Sequence, residues 1–404
     1  GGYNIVPGGN NYLSSTDRID FANDTANTVS KGTLTFPKNH LTGTSAILAA
    51  PPAPVQPPFP SPQLLPVPNY PFTLHTFTAA NIKGRTGPTL SDFQSAYSGI
   101  TWLATYFDSS NGIQLWTPPV DGVYEIELRG ASGGDNNGAN GSTNSNQADP
   151  GQGALLIIRV TLSGSTEYSL VVGQTPRSAN GAGSGGGGGS WIYSGSIGGN
   201  GLIAVAGGGA GWGHGNSGTN GGNGLGGSST TDSTRVSQNA VVNGRTGNGT
   251  GATNGIGQGG GLATTGDYGG ASGGAGWLSD GTDNNPARTS PGWTSTGGHS
   301  AGTGASDAWQ GGTGRGDAYN YAGGFGGGGG SSGDGKAGGG GGGYTGGAAA
   351  NDWSGSRWGN GGGGGTYYSP ASTLVSVTAG DNGGTGGHLA GDATNGYIKI
   401  TLIG

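Results

Sequence analysis

The sequence predicts an all-β protein: a β-sandwich with an inserted block of packed polyglycine helices, preceded by a small β-rich repeat. Three observations predict it. Short apolar segments alternate with polar residues between turns, as in VYEIELR, where Tyr124, Ile126 and Leu128 interleave with Glu125, Glu127 and Arg129. Glycine supplies 100 of the 404 residues and is gathered into runs. Charged residues reach only 9% and cysteine is absent, which fits neither a charged disordered chain nor a disulfide scaffold.

The longest glycine stretch, Gly323 to Gly347, reads GGFGGGGGSSGDGKAGGGGGGYTGG, with related runs at Gly185 to Gly189 and Gly361 to Gly365. Glycine loses more backbone freedom on folding than any other residue and brings no side chain to a core. Order is recovered if extended helices with three residues per turn lie side by side and hydrogen-bond through their backbones. Collagen requires a strict three-residue repeat and abundant proline, and this chain has neither. The alternative is a flexible linker. Against it stand Phe325, Tyr344, Trp353 and Trp358, large aromatics interleaved with the runs.

A formal net charge of −6 offers no basic surface for a phosphate backbone, so nucleic acid is not an expected partner. No apolar run approaches a membrane span, so no membrane insertion is expected. The chain holds no methionine, so it reads as a processed product or a piece of something longer.

Residues 1–50 alternate short segments with Asn, Asp, Gly and Ser, the rhythm of a small antiparallel unit. Asp17, Arg18, Ile19, Asp20, Asn23, Asp24 and Thr25 resemble the signature of kelch-like repeats in structural proteins of marine phages, and one copy implies a longer array. Residues 51–71 hold proline too often for a helix or central strand and read as an extended spacer. Beyond it, Thr89 caps a short helix with Asp92 at its third position and Phe93 and Tyr97 four residues apart. Strands are expected over Asn111 to Trp116, Gly122 to Gly130, Gly153 to Leu162, Glu167 to Gly173, Gly201 to Ala206, Thr373 to Ala379 and Gly396 to Ile403. Residues 72–404 thus form one domain, with sandwich at 72–180 and 366–404 and the glycine block at 181–365.

Several of these segments, in order, resemble a known family. GRTGPTLSDFQSAYSG, NGIQLWTPPVDGVYEIELRGASGG, YSLVVGQTP, GSGGGGGSWIY, LIAVAGGGAGWG, the long glycine stretch and GYIKITLIG are similar to the glycine-rich ectodomain region of the anaplastic lymphoma kinase and leukocyte tyrosine kinase receptors. The resemblance covers residues 72–404. It implies a jelly-roll sandwich similar to tumour necrosis factor, carrying polyglycine helices. Phe93 stands where the receptors tend to have cysteine, and no kinase or transmembrane segment is present, so the scaffold carries over and the receptor function does not.

No catalytic set emerges, and no cofactor or metal is expected. His40, His75, His214, His299 and His388 lack metal-ligand spacing, and GxGxxG strings follow from composition alone. DGTDNN at 280–285 lacks EF-hand spacing and reads as a polar turn, and the RGD triplet at 315–317 as chance. The informative residues lie in the polar segments that interrupt the glycine: Trp277, Trp293, His299, Asp307, Trp309, Arg315, Tyr319, Tyr321, Trp353, Arg357 and Trp358. Aromatic faces stack on sugars or fill protein pockets at low entropic cost. The same rings would equally serve to close the ends of a glycine stack.

Repeat, spacer and loop-bearing head suggest shaft, neck and tip of a virion tail fibre. The expected partners are a host cell-surface glycan or outer-membrane protein and other virion proteins. The alternative is a structural protein of an extracellular filament, surface layer or virion decoration. Fibres and tumour-necrosis-factor-like sandwiches are commonly homotrimers, but the glycine insert would occupy the surfaces such a trimer uses.

Overall fold

The structure, a computed structural model, describes residues 70–134, 150–177, 183–213, 227–228, 231, 271–282, 309–314, 321–331, 337–349, 359–381 and 394–404. The chain divides at Pro62 and Gln63, and every described residue belongs to the second unit. The expected repeat and all of the spacer up to residue 69 lie outside the described residues. The spacer's last residues do not behave as a spacer: Tyr70 is buried and stacks on Tyr106 and Trp102, with ring centroids 4.4 and 5.0 Å away.

Two antiparallel sheets form the sandwich. The first, of five strands, runs β1 (Leu74–Thr78), β11 (Tyr397–Leu402), β4 (Gly122–Arg129), β5 (Leu155–Leu162), β10 (Thr373–Thr378). The second, of six strands, runs β2 (Phe107–Ser110), β3 (Ile113–Trp116), β6 (Tyr168–Val171), β7 (Ser190–Ser194), β8 (Leu202–Ala206), β9 (Tyr367–Tyr368). Period-two alternation decides which side chains meet between them. Tyr124, Ile126 and Leu128 of β4 are fully buried, opposite Val160, Ile158 and Leu156 of β5. Across the gap stand Trp116, Leu170, Ile192 and Ala204, and one apolar cluster joins the sheets. On the solvent face, Arg159 Nη2 lies 2.9 Å from Glu125 Oε2, and Glu127 accepts from Lys399 Nζ at 3.3 Å and from the Tyr397 hydroxyl. Burial and the adjacent Glu127 charge push the Tyr397 hydroxyl up to about 12.

Helix α1 (Leu90–Ala96) carries the expected capping box: the Thr89 hydroxyl accepts from the Asp92 amide at 3.3 Å, and the Asp92 carboxylate accepts from the Thr89 amide at 2.8 Å. The Thr89 hydroxyl, donating to the Asp92 carboxylate at 2.7 Å, and then the Thr89 amide hold the Asp92 carboxyl below its ordinary range. Its buried Phe93, with Tyr97 beyond the last turn, packs with Leu103 of α2 (Leu103–Tyr106). The Tyr97 hydroxyl accepts from the Thr78 amide at 2.7 Å and donates to Gln114 Oε1 at 2.8 Å, tying helix to sheet edge.

β1, β2, β7 and β9 were not legible in the sequence. The consequential one is β7, SWIYS, which lies inside the span assigned to the glycine block. Both its faces are buried: Ile192 points into the sandwich, while Trp191 and Tyr193 face the glycine segments. Sandwich and glycine block are therefore interleaved along the chain rather than divided at residues 181 and 365.

Candidate functional site: the far end of a glycine array

Sandwich strands continue into glycine segments. Residues 130–134 extend β4, 151–154 lead into β5, 183–189 into β7, 207–213 leave β8, and 359–366 lead into β9. Further segments, 271–277, 321–331 and 337–349, complete an array joined by backbone hydrogen bonds.

Its organisation is clearest around Gly339 to Tyr344. The amides of Gly339 and Gly342 donate to Ser184 and Gly187, those of Gly340 and Gly343 to Ser272 and Ala275, and those of Gly341 and Tyr344 to Gly362 and Gly365, at 2.8–3.1 Å. Residues three apart thus address the same neighbour, three residues further along it. That is the period of an extended helix with three residues per turn. Carbonyls of the same stretch accept from Gly211 and Gly208, from Gly329 and from Gly347, so among the described residues five other segments and the chain's own return at Gly347 border it, some parallel and some antiparallel. The spacing leaves no room for side chains. A Cβ on Gly186 would strike the Gly340 carbonyl, one on Gly341 the Gly208 carbonyl, and one on Gly329 the Ser272 carbonyl.

The array's two ends differ. Near the sheets it is closed by aromatics: Trp191 and Tyr193 of β7 pack with Trp277, Trp309 and Phe325, the Trp191 and Trp309 centroids 4.3 Å apart. Trp277 Nε1 donates to the Gly199 carbonyl at 3.2 Å, and Trp309 Nε1 to the Tyr193 hydroxyl at 3.4 Å. Burial raises the Tyr193 hydroxyl above its ordinary value. Trp309 holds a φ of 62°, unusual for a side-chain-bearing residue. Its carbonyl accepts from both Gly326 and Gly327, at 2.8 and 3.2 Å, which fixes it there. Tyr344 and Tyr367, stacked with centroids 4.5 Å apart, complete this closure.

The other end lies away from the sheets, at the level of Gly339, Ser184 and Gly211. Serine side chains satisfy backbone groups that the array leaves there. Ser331 Oγ donates to the carbonyls of Gly183 and Ala337, at 3.0 and 2.8 Å, and Ser184 Oγ accepts from the Trp212 amide at 3.2 Å. Trp212 and the alanines 271, 337 and 349 are buried at this end. Hydrogen-bond register puts Gly134, Gly151, Thr282, Gly314, Tyr321, Ser331, Ala337, Ala349, Gly359 and Thr394 on the same side. These residues flank the stretches between described segments.

The residues proposed for contact therefore separate. Trp277 and Trp309 are buried, at 4% and 0% exposure, and are corrected from contact residues to closing residues, because the junction with β7 needs large rings where glycine supplies none. Tyr321 is half-buried at the far end. Trp293, His299, Asp307, Arg315, Tyr319, Trp353, Arg357 and Trp358 lie outside the described residues. Trp212, Ser184 and Ser331 were not singled out from the sequence. SWIYS is a short continuous apolar run, which fits a strand buried on both faces but by periodicity fits a buried helix segment equally.

Among the described residues no group of histidine, cysteine and carboxylate side chains could hold a metal ion, and no helix is long and apolar enough to cross a membrane. Comparison with protein-family models and with curated proteins finds no match.

Proposed function

We propose that this chain is a non-enzymatic virion tail-fibre or appendage protein whose glycine-rich domain binds the host cell surface. The observation that supports this reading is the polarity of the array: aromatic closure against the sheets, and most chain exits at the far end, the re-entry at Trp309 excepted. The exits at Gly314 and Tyr321 flank Arg315 and Tyr319, and those at Ala349 and Gly359 flank Trp353, Arg357 and Trp358. A backbone-bonded array is a rigid base from which exchangeable segments can vary without disturbing the fold. Tryptophan and arginine are the side chains that contribute most per residue at contact surfaces. A surface glycan or an outer-membrane protein is the matching partner class. On the same reading, the sandwich is of the jelly-roll kind.

Binding of the purified full chain to bacterial envelopes tests this. Joint Arg357→Ala and Trp358→Ala substitution is expected to lower affinity at least tenfold while leaving the circular dichroism unchanged. Unaltered binding in that variant, or no binding to any envelope of the host community, overturns the proposal. The second reading, a structural protein that assembles, is favoured by one feature, the open strand β10.

A further inference from the structure

Among the described residues the two sheets have four edge strands, and three of them are blunted. β1 is occupied by side chains: Thr78 donates its amide to Tyr97, and its carbonyl accepts from Gln114 Nε2 at 3.0 Å. β2 is only four residues long and carries Asp108, whose carboxylate folds back onto the Ser109 amide at 2.7 Å. β9 is two residues long. Short, charged or occupied edges are the usual defences against strand pairing.

β10 has none of these three, and carries only a bulge between Leu374 and Ser376. It is Thr373-Leu-Val-Ser-Val-Thr378, six residues without charge or proline and rich in β-branched side chains. All but one of its residues are exposed, Leu374 to 38% and Val375 to 46%. Among the described residues, no backbone hydrogen bond outside its pairing with β5 involves it.

We propose that β10 is a homodimerisation edge, pairing antiparallel with β10 of a second copy about a two-fold axis to join two sandwiches through one continuous sheet. The sequence of the strand selects the second copy as occupant. Read in opposite directions, TLVSVT sets Thr373 opposite Thr378, Leu374 opposite Val377 and Val375 opposite Ser376. Residues opposite one another must lie on the same face of the sheet. A regular strand could not adopt this register with itself, because positions whose numbers sum to an odd value fall on opposite faces. The bulge of β10 changes that. It shifts the register between Leu374 and Ser376, so that Leu374 pairs with Ile158 and Val377 with Leu156, both inward-facing core positions of β5. Leu374 and Val377 are thereby brought to the same face, and likewise Thr373 and Thr378. The register joins Leu374 to Val377 and threonine to threonine, leaves Val375 opposite Ser376 at the bulge, and opposes no like charges, in a chain whose net charge of −6 otherwise sets copies repelling. It is also self-complementary, as a two-fold interface requires.

Light scattering on the full chain at micromolar concentration is expected to give twice the 39.0 kDa chain mass. Val375→Lys, at an exposed position within the bulge, is expected to return it to monomer with unchanged circular dichroism. The chain has no cysteine, so a Leu374→Cys, Val377→Cys variant gives an independent readout: mild oxidation is expected to link most of the protein as a dimer that reduction releases. A monomer or trimer by mass overturns the proposal, as does a dimer that survives Val375→Lys. If that variant fails to fold, absence of the oxidised dimer from the cysteine variant overturns it.

Discussion

In the sandwich, neighbouring layers are held about 10 Å apart by side chains and joined by what fills the gap; in the array, neighbouring segments touch backbone to backbone because nothing fills it. Tyr124, Ile126, Leu128, Ile158 and Ile192 stabilise the first by leaving water. Gly186, Gly329, Gly341 and their neighbours have no comparable apolar surface to bury, so the second depends on hydrogen bonds repeated at every residue. The difference teaches that one chain can order itself by two opposite uses of the side chain. The two uses meet at β7, whose Ile192 serves the first region and whose Trp191 and Tyr193 close the second.

The sharpest way to break this comparison is to add one carbon atom to the array. Glycine-to-alanine changes ordinarily stabilise by about 0.4–1 kcal/mol where the backbone tolerates them. At Gly341 the new Cβ would strike the Gly208 carbonyl, and backbone bonded on every side cannot yield. Gly341→Ala is expected to cost about 5 kcal/mol or more, or to prevent folding, as read by denaturant unfolding. A change within about 1 kcal/mol would show the array to be loosely packed.

In the sandwich, removing atoms is the corresponding injury. Ile158→Ala empties a fully buried position between Ile126 and Leu374 and is expected to cost about 3–4 kcal/mol, with the fold retained. Unfolding that proceeds in one transition for both variants would show the two regions to be a single cooperative unit.

The smallest effect is set by pH and concerns the sandwich alone. His75 of β1 is buried against Phe77, Tyr97 and Trp102, with centroids 4.6, 5.0 and 5.2 Å away, and its Nε2 has no hydrogen-bond partner among the described residues. Burial lowers its folded-state value from 6.5 to about 4. The unfolded chain therefore binds the proton first as pH falls. Stability is full above 6.5 and declines toward 4, by at most roughly 3 kcal/mol. Denaturation midpoints between pH 7 and 4 check this, and His75→Phe is expected to flatten the profile. The array holds few titratable groups, so a decline that survives this substitution would have to come from elsewhere.

Much of the sandwich was legible because its physics is local. In β4 the alternation of Tyr124, Ile126 and Leu128 with charged residues states which face is buried, and Thr89 with Asp92 states where α1 begins. β1 and β9 were missed because LHTFT and YY are too short, or too mixed, to carry a period. For the candidate site, the segments bearing Trp293, Arg315, Tyr319, Trp353 and Trp358 were found as interruptions of glycine. That Trp277 and Trp309 belong to the closed end was not legible, since composition gives the same signal for a ring that plugs and a ring that contacts.

The sequence by itself determined that the chain is all-β, that its glycine runs could be ordered only through backbone hydrogen bonds, and that it holds no cysteine. Only the tertiary structure decided which glycine faces which, where the array begins inside the sandwich, and which tryptophans are inside. The physical reason is that a side chain carries its preference along the sequence as a pattern, whereas glycine carries none. A residue without a Cβ has no face to assign, and its partner is chosen solely by which segment the rest of the fold brings alongside.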